Sequence, residues 1–117
     1  MKEKRKEKRI LEEDKIVLNL ILEGNVPGSA ETYCSLTKDI SAGGVRIVTE
    51  SPLLVDSNVG FEIALAKMRR LVYGTGKVRW LNRLFEDRVF EAGLEFIELS
   101  PEGVGAILEH VYRHGTA

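Results

Sequence analysis

Cysteine is almost missing from this chain. Its single residue, Cys34, has no partner for an internal disulfide, which excludes a disulfide-stapled scaffold and fits a reducing compartment. No apolar run approaches the ~20 residues a membrane helix requires. The basic start leads into Ile10-Leu11 and then Glu12-Glu13-Asp14, without a secretory apolar stretch. A cytoplasmic protein with no membrane insertion is expected. Catalytic equipment is equally thin. The two histidines, His110 and His114, stand four apart near the C-terminus, without a His-Glu-x-x-His pattern or an evident third ligand. They read as solvent-facing helix residues, and no metal site is expected. Cys34 reads as a buried strand residue, far in sequence from either histidine. The glycines of Gly74-Thr75-Gly76 fall in a strand pattern rather than ahead of a helix, so no phosphate-cradling loop is present. Neither enzymatic activity nor a cofactor is expected.

What the chain does have is an uneven charge. Its 117 residues make one domain with a net charge of −1. Residues 1–9 alone carry six Lys/Arg against two Glu, an arm of about +4, which leaves about −5 on the remainder. A pI near 6.1 argues against DNA binding by the folded body, which needs a basic face. RNA binding through the arm is a weaker alternative, because the strands show no stripe of aromatics interleaved with Lys/Arg. Like charge makes residues 1–9 a flexible arm in the absence of a ligand, with residues 10–15 as its linker.

Residues 16–117 form the body. Ile16–Leu22 is a short apolar run of strand length. Pro27-Gly28 marks a turn, and Glu31–Thr37 alternates as a second strand. Val45–Thr49 is β-branched, and Val59–Ala66 puts Val59, Phe61, Ile63 and Leu65 on one face. Leu71–Trp80 is a longer strand in which Gly74 and Gly76 permit a bulge. Residues 82–88 read as a polar loop, and Val89–Ile97 turns Phe90, Ala92, Leu94 and Phe96 inward. Ser100-Pro101-Glu102 starts a helix with an N-cap, a first-position proline and an early acid. Its apolar stripe is read as Val104, Ile107, Leu108, Val111 and Tyr112. Six short strands and one terminal helix predict a mostly β fold: a small six-stranded antiparallel barrel with one C-terminal α-helix.

Two stretches could bind a ligand. Arg5 and Arg9 stand four apart in the arm, and Asp39-Ile40-Ser41-Ala42-Gly43-Gly44 is a glycine turn bearing a carboxylate and a hydroxyl. Gly43 and Gly44 allow close backbone approach. Asp39 can accept the N1–H and amine donors of a guanine edge, with Ser41 donating or accepting nearby. The planar fork of arginine matches guanine O6/N7 and phosphate oxygens alike. Either stretch alone is more often solvated charge or plain turn chemistry.

Together, on this strand pattern, they carry a resemblance. The chain resembles the PilZ domain family through Arg5-Lys-Glu-Lys-Arg9 and Asp39-Ile-Ser-Ala-Gly-Gly44. Further matches are Gly60, Gly76-Lys-Val-Arg-Trp80, Ala92-Gly-Leu-Glu-Phe96 and Leu99-Ser-Pro. The resemblance implies a split-barrel fold and a non-catalytic receptor for the bacterial second messenger cyclic di-GMP. Arg5 and Arg9 would then hold guanine faces and phosphates, Asp39 and Ser41 would read guanine, and Gly43 and Gly44 would set the turn. Lys4, where some members carry a further arginine, bears on whether one ligand or a stacked pair binds. Arg46 and Trp80 are candidates to lie near the ligand, although surface charge and core packing explain them equally well. A downstream protein partner is implied, and a homodimer is compatible. The same fold could instead serve as a protein-interaction module that does not bind the nucleotide.

Overall fold

Apolar residues at every second position decide this architecture, because a strand points successive side chains to opposite faces. The computed structural model describes residues 9–20, 31–50, 53–85 and 88–114. Along the chain come strands β1 Arg9–Leu11, β2 Lys15–Leu20, β3 Glu31–Ser41, β4 Gly44–Thr49, β5 Asn58–Leu65, β6 Arg70–Leu84 and β7 Val89–Leu99. Helix α1, Pro101–His114, follows. A 3-10 turn at Ala66–Met68 joins β5 to β6 and ends on Arg69 in the left-handed region, at φ 53°.

Every pairing is antiparallel, in the order β3-β2-β5-β6-β7-β4, and β4 pairs again with β3. That last pairing closes a six-stranded barrel, as the strand pattern predicts, and closure removes the free edges of an open sheet. The bend expected at the β6 glycines is present as a register shift between Thr75 and Gly76.

The short strand β1 is an addition to the ring. It lies along the same edge of β3 as β2, with Arg9 opposite Ser41 and Leu11 opposite Asp39. Between the two strands, residues 12–14 are pinned by Thr37. Its amide donates to Asp14 O at 2.9 Å, its hydroxyl donates to Glu12 O at 2.7 Å, and the same hydroxyl accepts the Asp14 N–H at 2.8 Å. The linker expected over 10–15 is therefore a strand in its first part and a tethered crossing in its second.

Core residues come from every strand of the ring. Ile16, Leu18, Ile40, Ile47, Ile63, Leu65, Val72, Val78 and Ala92 are fully buried, and Phe61 lies 5.3 Å from Phe96 between ring centres. Truncating Ile63 to alanine should cost about 2–5 kcal/mol, read as a lowered urea midpoint.

Four local expectations are corrected. Helix α1 packs chiefly on β6 and buries Gly103, Ala106, Ile107, His110 and Val111, one step round from the predicted stripe. Val104, Leu108 and Tyr112 are exposed instead. Small Gly103 lets the helix sit against Val72, so His110 is carried into the interior rather than facing solvent. Cys34 is exposed, because β3 turns Ser35 and Thr37 inward. Finally, β6 continues to Leu84, opposite Val89, and takes up the first part of the expected loop at 82–88.

Candidate functional site

The turn between β3 and β4 builds one wall of a cavity. Asp39 and Arg46 are direct partners across this hairpin, so their side chains share a face. Arg46 Nε donates to Asp39 Oδ2 at 2.8 Å, and Arg46 Nη1 donates to Glu91 Oε2 on β7 at 2.6 Å. The guanidinium is thus clamped between two carboxylates. Burial works against its charge, but the hydrogen bond and charge of Asp39, with Glu91 behind them, outweigh it and hold its pKa above the ordinary arginine value. Asp39 is only 6% exposed, and its carboxylate is fixed in direction by Arg46.

Ser41 shapes the turn itself. Its hydroxyl accepts the Gly43 N–H at 3.3 Å and lies 3.4 Å from the Gly44 carbonyl that it donates to. The Gly43 carbonyl accepts the Phe96 N–H at 2.9 Å, which ties the turn to β7. Gly44 sits so close to β7 that a Cβ would strike the Leu94 carbonyl. Close approach, rather than an unusual φ, is why glycine stands there.

The opposite wall comes from β6 and β7. A register shift between Val78 and Trp80 inserts Arg79 as an extra residue, which lets consecutive Arg79 and Trp80 both line the cavity. The Trp80 indole lies on Gly93, where any Cβ would meet the ring. Trp80 is 39% exposed, so one part of it packs and another faces the cavity. Arg79 pairs with Glu95. The open cavity holds about 620 Å³, within the range of small-molecule sites.

Of the residues expected from sequence, Asp39, Ser41, Gly43, Gly44, Arg46 and Trp80 all line this one cavity. Arg9 contributes described main chain only, hydrogen-bonded alongside Ser41. Lys4 and Arg5 lie outside the described residues. Sequence reasoning missed Glu91, Arg79 and Glu95. The outward phase of Glu91 and Glu95 was legible, but not the bulge that turns Arg79 beside Trp80.

A model of the PilZ domain matches residues 3–113. The chain belongs to the PilZ domain family. Solved structures agree on its fold. The Bacillus subtilis inhibitor of motility MotI/DgrA superposes with a TM-score of 0.71 at 18% identity, covering 95% of this chain and 51% of that one. The PilZ domain of Escherichia coli YcgR with c-di-GMP gives 0.68 at 13%, covering 96% and 92%. The K. pneumonia MrkH–c-di-GMP complex gives 0.71 at 18%, covering 94% and 52%. The chain therefore spans about half the length of MotI/DgrA and of MrkH, and nearly all of the YcgR PilZ domain. No curated protein matches it in sequence. Within this PilZ domain no described helix is long and apolar enough to cross a membrane.

Proposed function

We propose that this PilZ domain is a non-catalytic receptor for cyclic di-GMP, held between the Arg5-x-x-x-Arg9 arm and the Asp39–Gly44 turn. One observation carries the reading: a fixed carboxylate, a turn hydroxyl and a half-exposed indole converge on one cavity beside the Arg9 main chain. Two structural relatives, YcgR and MrkH, are described with c-di-GMP, which supports the same ligand class. In this reading Asp39 accepts the N1–H and amine of a guanine, Ser41 adds a polar contact, and Trp80 offers a face for stacking. Arg5 and Arg9 supply the cationic contacts to phosphate and guanine, with Lys4 bearing on stoichiometry. The arm closing over the ligand changes the surface offered to a cytoplasmic partner protein, and so regulates motility or biofilm formation.

Calorimetric titration of the purified chain with cyclic di-GMP tests the assignment. Saturable binding at micromolar ligand is expected, and its absence in a folded sample removes the assignment. Asp39→Ala should weaken binding by about 10- to 100-fold, the loss of one charge-assisted hydrogen bond of roughly 1.5–3 kcal/mol. Asp39→Asn should fall between, because the amide keeps one acceptor and loses the charge. Arg46 would retain Glu91 in either variant, so the fold should survive.

A second reading has its own observation. Ile97, Val104 and Leu108 form an exposed apolar groove between β7 and α1, a surface suited to a protein-interaction module. A null titration would favour it.

A further inference from the structure

Beneath α1, at the crossing between β1 and β2, two carboxylates and an imidazole meet out of solvent. Asp14 is 2% exposed, His110 is 0% exposed, and the Glu12 side chain is 9% exposed. One ligand atom from each lies within 4.8 Å of the other two. Asp14 Oδ1 accepts the Ala66 N–H at 3.2 Å, but its Oδ2 and both Glu12 oxygens are buried with no hydrogen-bond donor. Lys67 reaches only Glu12 Oε1, at 3.5 Å, from a largely exposed position. His110 Nε2 lies 3.4 Å from that same oxygen.

Buried polar oxygens left without donors are destabilising, and more so when charged. Two carboxylates this close also repel. Lys67 and His110 both approach Glu12 Oε1, whereas Asp14 Oδ2 and Glu12 Oε2 have no hydrogen-bond donor. The geometry points to a divalent transition-metal site formed by Glu12, Asp14 and His110. Two hard oxygens and one imidazole nitrogen suit zinc, or manganese and its neighbours, better than calcium or magnesium, which take oxygen alone. The donor set is not the His110/His114 pair that the helix spacing offers. It joins the segment immediately after Arg9 to α1, so an ion here would fix the root of the arm against the helix.

The full chain, stripped with a chelator and dialysed, is titrated with zinc chloride, with bound metal read by elemental analysis and stability by thermal melting. About one equivalent is expected, with a raised midpoint. Glu12→Gln, at the solvent edge of the cluster, should fold and lose about tenfold or more in zinc affinity, and Asp14→Asn should do the same. His114→Ala should bind zinc like the unaltered chain. Cobalt, as a spectroscopic substitute, should show the absorption of a nitrogen- and oxygen-ligated ion, absent in Glu12→Gln. Zinc that fails to raise the midpoint of the unaltered chain, or that binds Glu12→Gln equally well, overturns the site and leaves a proton as the shared positive charge. None of these readouts involves cyclic di-GMP, so failure here leaves the nucleotide assignment standing.

Discussion

Arg5→Ala/Arg9→Ala should lower cyclic di-GMP affinity by about 10²- to 10⁴-fold while leaving the melting midpoint nearly unchanged. Two arginines each making charge-assisted contacts contribute roughly 1.5–3 kcal/mol apiece. Every decade of affinity is about 1.4 kcal/mol, which yields that range. The cavity explains why the loss should be so large. Its own arginines are already engaged, Arg46 with Asp39 and Glu91, and Arg79 with Glu95. Its lining charges, Asp39, Glu95, Arg46 and Arg79, sum to zero and offer a dianion no net attraction. The compensating charge must come from elsewhere. β1 brings the Arg9 main chain beside Ser41, which makes the arginines of this segment the ones to test. A double lysine variant separates charge from shape. Lysine keeps the charge and loses the planar fork, so Arg5→Lys/Arg9→Lys should recover little affinity if the arginines stack on or grip guanine. Full recovery would mean that the arm acts only through its field, and binding that survives the alanine pair would remove the clamp altogether.

How far the sequence led depended on the kind of signal. Strands declared themselves wherever one face was large and apolar. Val59, Phe61, Ile63 and Leu65 are all buried, as their alternation required. The turn at Asp39–Gly44 was legible because its glycines, hydroxyl and carboxylate are contiguous. Where the buried face is small or polar, apolar counting chose wrongly. Helix α1 buries Gly103, Ala106 and His110, none of which scores as a core residue, and so the stripe was read one position off. The same reason hides the inward phase of Ser35 and Thr37, and with it the exposure of Cys34. Hardest to read were Glu12 and Asp14. In sequence they belong to an acidic linker like any other. Only the lining-up of β1 and β2 on one edge of β3, with Thr37 bonded to the Glu12 and Asp14 main chain between them, turns these carboxylates under the helix toward His110. The Arg46–Glu91 contact joins residues 45 positions apart, so it follows from barrel closure and from no local pattern.

Closure itself supplies a second large effect, on stability. Gly44→Ala should destabilise the fold by about 2–4 kcal/mol, read as a lowered denaturant midpoint. The added Cβ meets the Leu94 carbonyl oxygen and carbon and the Glu95 Cα, all main chain of β7. No rotamer can relieve such a clash, so β4 must draw away from β7. Overpacking of this kind costs typically 1–3 kcal/mol, and the bond from Phe96 N–H to Gly43 O, about 1 kcal/mol net, stretches with it. Two other glycines calibrate the result. At Gly60 the nearest atom to an added Cβ is Asn19 Cβ at 3.7 Å, an ordinary contact. Gly60→Ala should therefore be neutral or stabilising by up to about 1 kcal/mol, since alanine restricts the unfolded chain more than glycine does. Gly93→Ala meets the Trp80 indole, which is partly exposed and can swing aside. Its cost should appear less in the midpoint than in ligand affinity, because the displaced ring no longer forms the cavity wall. Equal midpoints for Gly44→Ala and Gly60→Ala would show that the β4–β7 seam yields more readily than its main-chain contacts imply. A large separation would make the seam both the clasp of the barrel and the rigid base from which Asp39 and Ser41 are presented.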